Sequence, residues 1–331
     1  MLKIHFSAED IFRTRVAPAA DPVWEVVLSL HLLAGRSRDS LLAGWRREVS
    51  RELRQQEDVD ALRLLSALSP PRGYFPDFLT PYESLHGFEA GMEALRRTPV
   101  ALLQRDLTLL ANGRSGSLPA GVAALARGEP DALGHLTETM GRYRELALGP
   151  YWPRVQAAVE ADRVRRARAM LDGGIEGLLT TLRPGVRWES GALEIPAYPS
   201  NRELHLRGRG LLLVPSFFCA NTPVALLDPQ LPPVLVYPVD RLGGLTADRA
   251  GADGTGREAL TALLGRTRAA VLAATDDGCT TGELARRLHI SAAAASQHAT
   301  VLRNAGLLIS QRDRNTVLHT LTPLGRAVLT S

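Results

Sequence analysis

Ser296, Gln297 and Thr300 lie within five residues of one another on an alanine-rich segment, Ser291 to Ala305. Their chemistry is that of base-edge recognition. A glutamine amide pairs in bidentate fashion with adenine, and serine and threonine hydroxyls bond bases or backbone. Ala292 and Ala293 open the segment with side chains small enough for close approach to a groove, and their methyls can meet thymine methyls. His298 and Arg303 on the same segment, and Arg312 and Arg314 just beyond it, offer cationic or polar groups for phosphate contact.

Such side chains need a rigid carrier, and the surrounding sequence supplies one. Thr280 followed three residues later by Glu283 is a capping-box pattern, and Leu284, Ala285 and Leu288 give the short helix it starts one apolar face. His289 and Ile290 make a turn, with Ile290 expected as its buried plug. Ser291 is a good N-cap, and the four alanines 292–295 start a second helix with high propensity. Ala295, Ala299, Leu302 and Val301 are expected to form its inward stripe. Gly306 suits the left-handed position at which a helix ends. Leu307–Ser310 and Thr316–Leu321 read as two strands of a wing at about 309–320, with Arg312 to Asn315 as a polar turn. Thr322–Leu329 closes the unit as a short amphipathic helix.

This stretch resembles the winged-helix repressors of the ArsR family. The resemblance rests on LGRTRAAVL, TTGELARRLHIS, ASQHATVLRNAGLL and the strand ending VLHTLTPLG, and covers about 70 residues in the same order and spacing. It implies transcriptional control, usually repression, by a homodimer on a pseudo-palindromic DNA operator. Two departures narrow it. The family's founding members sense metals through two cysteines separated by one residue in the first helix of the motif. The matching positions here are Thr280 and Gly282, and Cys279 stands alone just outside. A metal site needs three or four converging ligands, so no thiolate sensor is expected there. The closing helix is also short, so dimerisation is expected to depend on the N-terminal region.

The charge balance agrees with a polyanionic partner at this end. From Arg257 to Ser331 nine arginines face five acidic residues, so the whole formal excess of +4 lies there. Lys3 is the sole lysine, which points to genomic codon bias and warns against over-reading the arginines. Two cysteines, Cys219 and Cys279, fit a reducing compartment, and neither a secretory leader nor an apolar run of about 18 residues is present. A cytoplasmic protein with no membrane span and no cofactor is expected.

Upstream, the expected class is α+β: a mainly helical N-terminal domain with a small antiparallel sheet, residues 1–242, then a flexible linker over 243–256 and a winged helix-turn-helix domain over 257–331. Helical patterns cover Val23–Gly35, Asp58–Leu68, Glu83–Arg96, Val100–Leu110 and Pro153–Leu182. Leu193–Ile195, Glu203–Leu206, Leu211–Pro215 and Val234–Tyr237 read as strands, which the N-terminal strand Leu2–Phe6 can join.

Catalytic and metal signatures are missing from this region. Histidines 5, 31, 86, 135 and 205 are scattered, with no spacing that suggests metal binding or general-base work, and no nucleophile elbow or phosphate-cradling loop occurs. No catalytic and no metal residue is therefore expected. Tyr74, Phe75, Phe78, Tyr82 and Phe88 cluster in a chain with 5% aromatics. They are the candidates for an effector pocket, with ordinary core packing as the competing reading. Three roles for the region stay open: a small-molecule effector domain, a ligand-free dimerisation and docking module, and an enzyme tethered to DNA.

Overall fold

Leu2 and Ile4 alternate with Lys3 and His5, and this period of two produces strand β1 (Leu2–His5), whose apolar pair is fully buried. The computed structural model describes residues 1–35, 40–55, 59–71, 73–113, 118–119, 121–182, 185–219, 222–241, 255–275, 278–313 and 316–330. The chain divides into two compact units, Met1–Thr246 and Ala247–Ser331.

In the first unit β1 leads to α1 (Ala8–Arg13) and β2 (Arg15–Val16). Helices follow: α2 (Pro22–Ala34), α3 (Ala43–Leu53), α4 (Val59–Leu68), α5 (Phe88–Arg96), α6 (Val100–Asn112), α7 (Gly121–Ala126), α8 (Pro130–Ala147) and α9 (Trp152–Thr180). The single helix expected over 83–96 is broken. Gly87 has φ +116°, a conformation closed to most side chains, and it separates a 3₁₀ turn over Tyr82–His86 from α5. α9 is kinked at Gly173 and Gly174. Strands β3 (Arg187–Glu189), β4 (Ala192–Ile195), β5 (Arg202–His205), β6 (Leu212–Ser216), β7 (Val224–Ala225) and β8 (Val234–Pro238) complete the unit.

The α+β class holds, but the strands do not form one antiparallel sheet. They form two mixed sheets, ordered β3-β4-β1-β5 and β2-β6-β8-β7. β1 runs antiparallel to β4 and parallel to β5, and β6 runs parallel to β2 and β8. The β1–β5 and β2–β6 pairs join the chain start to strands that follow about 170 mostly helical residues, and β6 and β8 are separated by a connection longer than a hairpin, so parallel pairing is open to all three. A shared core of Leu2, Ile4, Leu193, Ile195, Leu213 and Leu235 packs against Leu178, Leu179 and Leu182 at the end of α9. The same topology brings together two of the histidines that are scattered in the sequence: His5 and His205 are register partners across β1 and β5.

Buried carboxylates tie helices to loops. Glu25, in the apolar α2, accepts hydrogen bonds from the Phe217 and Phe218 amides at 2.7 and 2.9 Å and from the Ser216 hydroxyl at 2.8 Å. Asp77 accepts from the amides of Leu227 and Asp228, and Asp162 from the Tyr237 hydroxyl at 2.7 Å. Each carboxylate satisfies donors that would otherwise be stranded in the interior. Asp162 also holds Arg165 and the buried Arg166. Part of the arginine-rich side of α9 is thereby core and structural.

The second unit contains α10 (Thr255–Leu264), α11 (Arg266–Ala274), β9 (Cys279–Thr280), α12 (Thr281–Arg287), α13 (Ala292–Asn304), β10 (Leu308–Asp313), β11 (Thr316–Leu321) and α14 (Pro323–Thr330). Most of the linker expected over 243–256 lies outside the described residues; Thr255 and Gly256, its last two, already belong to α10. The core joins Val271 and Leu272 of α11, Leu284 of α12, Ala295, Ala299 and Leu302 of α13, and Leu307 and Leu308.

Candidate nucleic-acid interface

Thr280 caps α12 as its spacing with Glu283 predicts. The Thr280 hydroxyl accepts from the Glu283 amide at 3.3 Å, and the Glu283 carboxylate accepts from the Thr280 amide at 2.8 Å. Those hydrogen bonds hold the Glu283 carboxyl below its ordinary value. His289 takes a positive φ of 53° in the turn, and Ile290, expected as a buried plug, is only partly buried against the core. The Ser291 hydroxyl then accepts from the Ala294 amide at 3.1 Å and starts α13.

At 100° per residue, Ala293, Ser296, Gln297 and Thr300 fall within about 100° of one another, opposite the stripe of Ala295, Ala299 and Leu302. The stripe is buried, whereas Ser291, Ala292, Ala293, Ser296, Gln297 and Arg303 are exposed and His298 and Thr300 half-buried. Val301 departs from expectation. It lies about 120° from the centre of the buried stripe and is 41% exposed, beside the Gln297 face. Arg286 and Arg287 at the end of α12 are also exposed. Paired arginines in the last turn of a helix are a signal that the sequence itself carries.

The wing is a hairpin of β10 and β11 in register from Leu308↔Leu321 to Asp313↔Thr316. It carries Arg312 exposed on β10, and Arg314 lies outside the described residues. A third strand joins the hairpin, too short at two residues to show a pattern in the sequence: β9 pairs with β11 through Leu318↔Thr280 and His319↔Cys279. His319 is buried between the two halves of the motif, with Nδ1 2.8 Å from the Ser310 hydroxyl and Nε2 2.9 Å from the Thr281 hydroxyl. Burial, reinforced by the Arg303 guanidinium, lowers its pKa.

A family model described as a helix-turn-helix domain matches residues 263–311, from the end of α10 into the wing. No curated protein and no solved structure matches the chain. The C-terminal unit is a helix-turn-helix domain, a kind of domain that binds DNA.

In the first unit the five candidate aromatics do not converge. Phe75 packs edge-on against Trp24 and His31, with centroids at 6.0 and 5.2 Å, and Phe78 is buried core. The Tyr74 hydroxyl is engaged by the Asp77 amide and the Tyr82 hydroxyl by Arg15. Phe88 alone of the five lines a cleft of about 340 Å³, shared with Asp21, Ser84, Arg144 and Trp152. The Arg144 guanidinium lies 4.9 Å above the Phe88 ring centroid. The five positions are close in sequence, but two 3₁₀ turns and Gly87 interrupt the segment, and the side chains engage separate partners. No helix among the described residues is long and apolar enough to cross a membrane.

Proposed function

We propose that this chain is a cytoplasmic, sequence-specific transcriptional regulator of ArsR-like type, a homodimeric repressor and not an enzyme. The observation that carries the reading is the exposed polar face of α13, capped at Ser291 and supported on a buried alanine–leucine stripe. In this reading α13 enters the major groove. Ser296, Gln297 and Thr300 contact base edges, with Val301 against a thymine methyl. Ala292 and Ala293 permit the close approach. Ser291, His298, Arg303, Arg312 and Arg314 position the protein on the backbone, helped by Arg286 and Arg287. A symmetric dimer sets half-sites about one helical turn apart, or a multiple of it. Footprinting and gel shifts on the protein's own promoter region test this with Gln297→Ala and Arg314→Ala. Unchanged affinity and salt dependence in both variants would refute the docking.

The Asp21–Phe88–Arg144–Trp152 cleft favours an effector role for the first unit over a purely dimerising one. Its volume is in the range of small-molecule sites, and a small aromatic carboxylate would compete with Glu145, paired with Arg144 at 2.7 Å, for the guanidinium stacked on Phe88. A melting scan of the full chain against benzoate and indole-3-acetate should show upward shifts that Arg144→Gln abolishes. No shift, with an intact dimer, would leave the ligand-free dimerisation module as the better reading.

A further inference from the structure

We infer that His5, Glu203 and His205 form a binding site for a divalent transition-metal ion of the zinc type. Nothing in the helix-turn-helix unit contributes to it. The site follows from strand periodicity and register. Lys3 and His5 project from one face of β1, and Glu203 and His205 from the same face of the parallel neighbour β5. Register sets His5 opposite His205 and Lys3 opposite Glu203. Behind them Leu2, Ile4 and Leu204 anchor both strands in the core, so the three side chains stand on rigid backbone.

Three geometric facts point to an ion. The imidazoles stack at a centroid distance of 4.4 Å with planes 9° apart, and both Nε2 atoms approach the same carboxylate oxygen. Glu203 Oε2 lies 3.3 Å from His5 Nε2 and 3.8 Å from His205 Nε2, and one ligand atom from each residue falls within 4.8 Å of the others. Ligand atoms bound to zinc at 2.0–2.2 Å in a tetrahedron are about 3.4 Å apart, so the spacing suits the ion; because the two rings lie stacked and nearly parallel, one imidazole must turn about its side-chain torsions for both Nε2 lone pairs to meet at the metal. The His5 Nε2 atom is buried and makes no well-aligned hydrogen bond among the described residues, its contact with Glu203 being a 3.3 Å charge contact. A cation shared with that carboxylate would satisfy the nitrogen.

Local charge leaves the carboxylate available. Lys3, directly across from Glu203, gives its ammonium to Glu194 on β4 at 2.8 Å. Two imidazoles and one carboxylate are the donor set of open zinc sites, which keep a fourth position for water or a small ligand. Glu203 and His205 are exposed, so the ion has a route in from solvent.

The test is titration of the full chain with Zn²⁺ by calorimetry, with Co²⁺ as a spectroscopic substitute. Expected are one ion per chain in this site and visible Co²⁺ bands of low-symmetry coordination. His205→Gln and Glu203→Gln should each weaken binding at least tenfold, since even the outer partners of metal ligands are worth 10–100-fold. Both positions are exposed, so both variants should melt like the native protein without metal. His86→Gln, an exposed histidine elsewhere, should bind as the native chain does. Absence of saturable binding, or binding that survives His205→Gln and Glu203→Gln unchanged, would overturn the assignment; the DNA-binding reading would stand in either case.

Discussion

His319 Nε2 lies 2.9 Å from the Thr281 hydroxyl, and through that contact the central strand of the wing is fixed to the first turn of α12. The helix-turn-helix and the wing are therefore one mechanical body. His319 also bonds Ser310 on the facing strand, so a single imidazole joins three elements.

Replacing His319 with alanine should strand the hydroxyls of Thr281 and Ser310 and cost about 1–3 kcal/mol in the C-terminal unit. Because the folded-state pKa is lowered, the unfolded chain binds the proton more readily. The histidine's contribution is complete above its ordinary value of 6.5 and is lost as pH falls from there toward the folded value. Denaturant unfolding of the full chain at pH 7.5 and pH 5 measures both effects. An alanine variant with native stability and native pH response would show that His319 does not join the two halves.

Glu25 and His31, six residues apart on α2, are perturbed in opposite senses. Burial pushes the Glu25 carboxyl up to about 7, partly offset by its three hydrogen bonds, and pushes His31 down to about 4. Glu25 holds a proton in the folded state that the unfolded chain has lost, so its contribution is complete below about 4.5 and disappears as pH rises through about 7. His31 behaves inversely, complete above about 6.5 and lost as pH falls to about 4. Between pH 4.5 and 6.5 each acts with a slope on the order of 1 kcal/mol per pH unit, and the slopes cancel. Relative to the native protein, Glu25→Gln should gain stability with rising pH over this range, and His31→Phe should lose it. Parallel profiles in all three proteins would contradict the assignment.

The helix-turn-helix was legible because its signals are local. A cap and its Glu283, a run of alanines and a pair of short strands all act within a few residues of one another. The face of α13 could be read from the 3.6-residue period, and the one error, Val301, came from admitting a residue that the period sends elsewhere. What failed was non-local. Nothing in the spacing of His5 and His205, 200 positions apart, marks them as neighbours, because that depends on β1 inserting between β4 and β5. The aromatic residues show the converse: positions close in sequence are interrupted by a glycine at positive φ and two 3₁₀ turns, and they engage separate partners.

Arg312, exposed on β10, should contribute through charge alone. Each phosphate contact adds about 0.9 to the slope of log affinity against log salt. Arg312→Ala should therefore flatten that slope by about 1 per protomer and weaken binding to all sequences alike. Fluorescence anisotropy on operator and scrambled duplexes across a salt series separates this from a specific contact. A loss confined to the operator would mean that Arg312 reads bases instead of holding phosphate.

Gln297 should behave in the opposite way. It lies at the centre of the exposed face of α13, next to Val301, and carries no charge whose removal could release counterions differently. Gln297→Ala should leave the salt slope unchanged and reduce affinity for the operator alone. A lost bidentate contact is worth about 1–3 kcal/mol of discrimination, roughly a 5- to 150-fold loss. The preference should relax at one base pair in each half-site, and selection from a randomised duplex pool would reveal which. Val301→Ala, removing only methyl groups beside it, should cost less and relax preference at an adjoining thymine. If Gln297→Ala instead weakened operator and scrambled duplexes equally, the helix would be binding DNA through its backbone-facing groups, and sequence reading would have to reside in the wing.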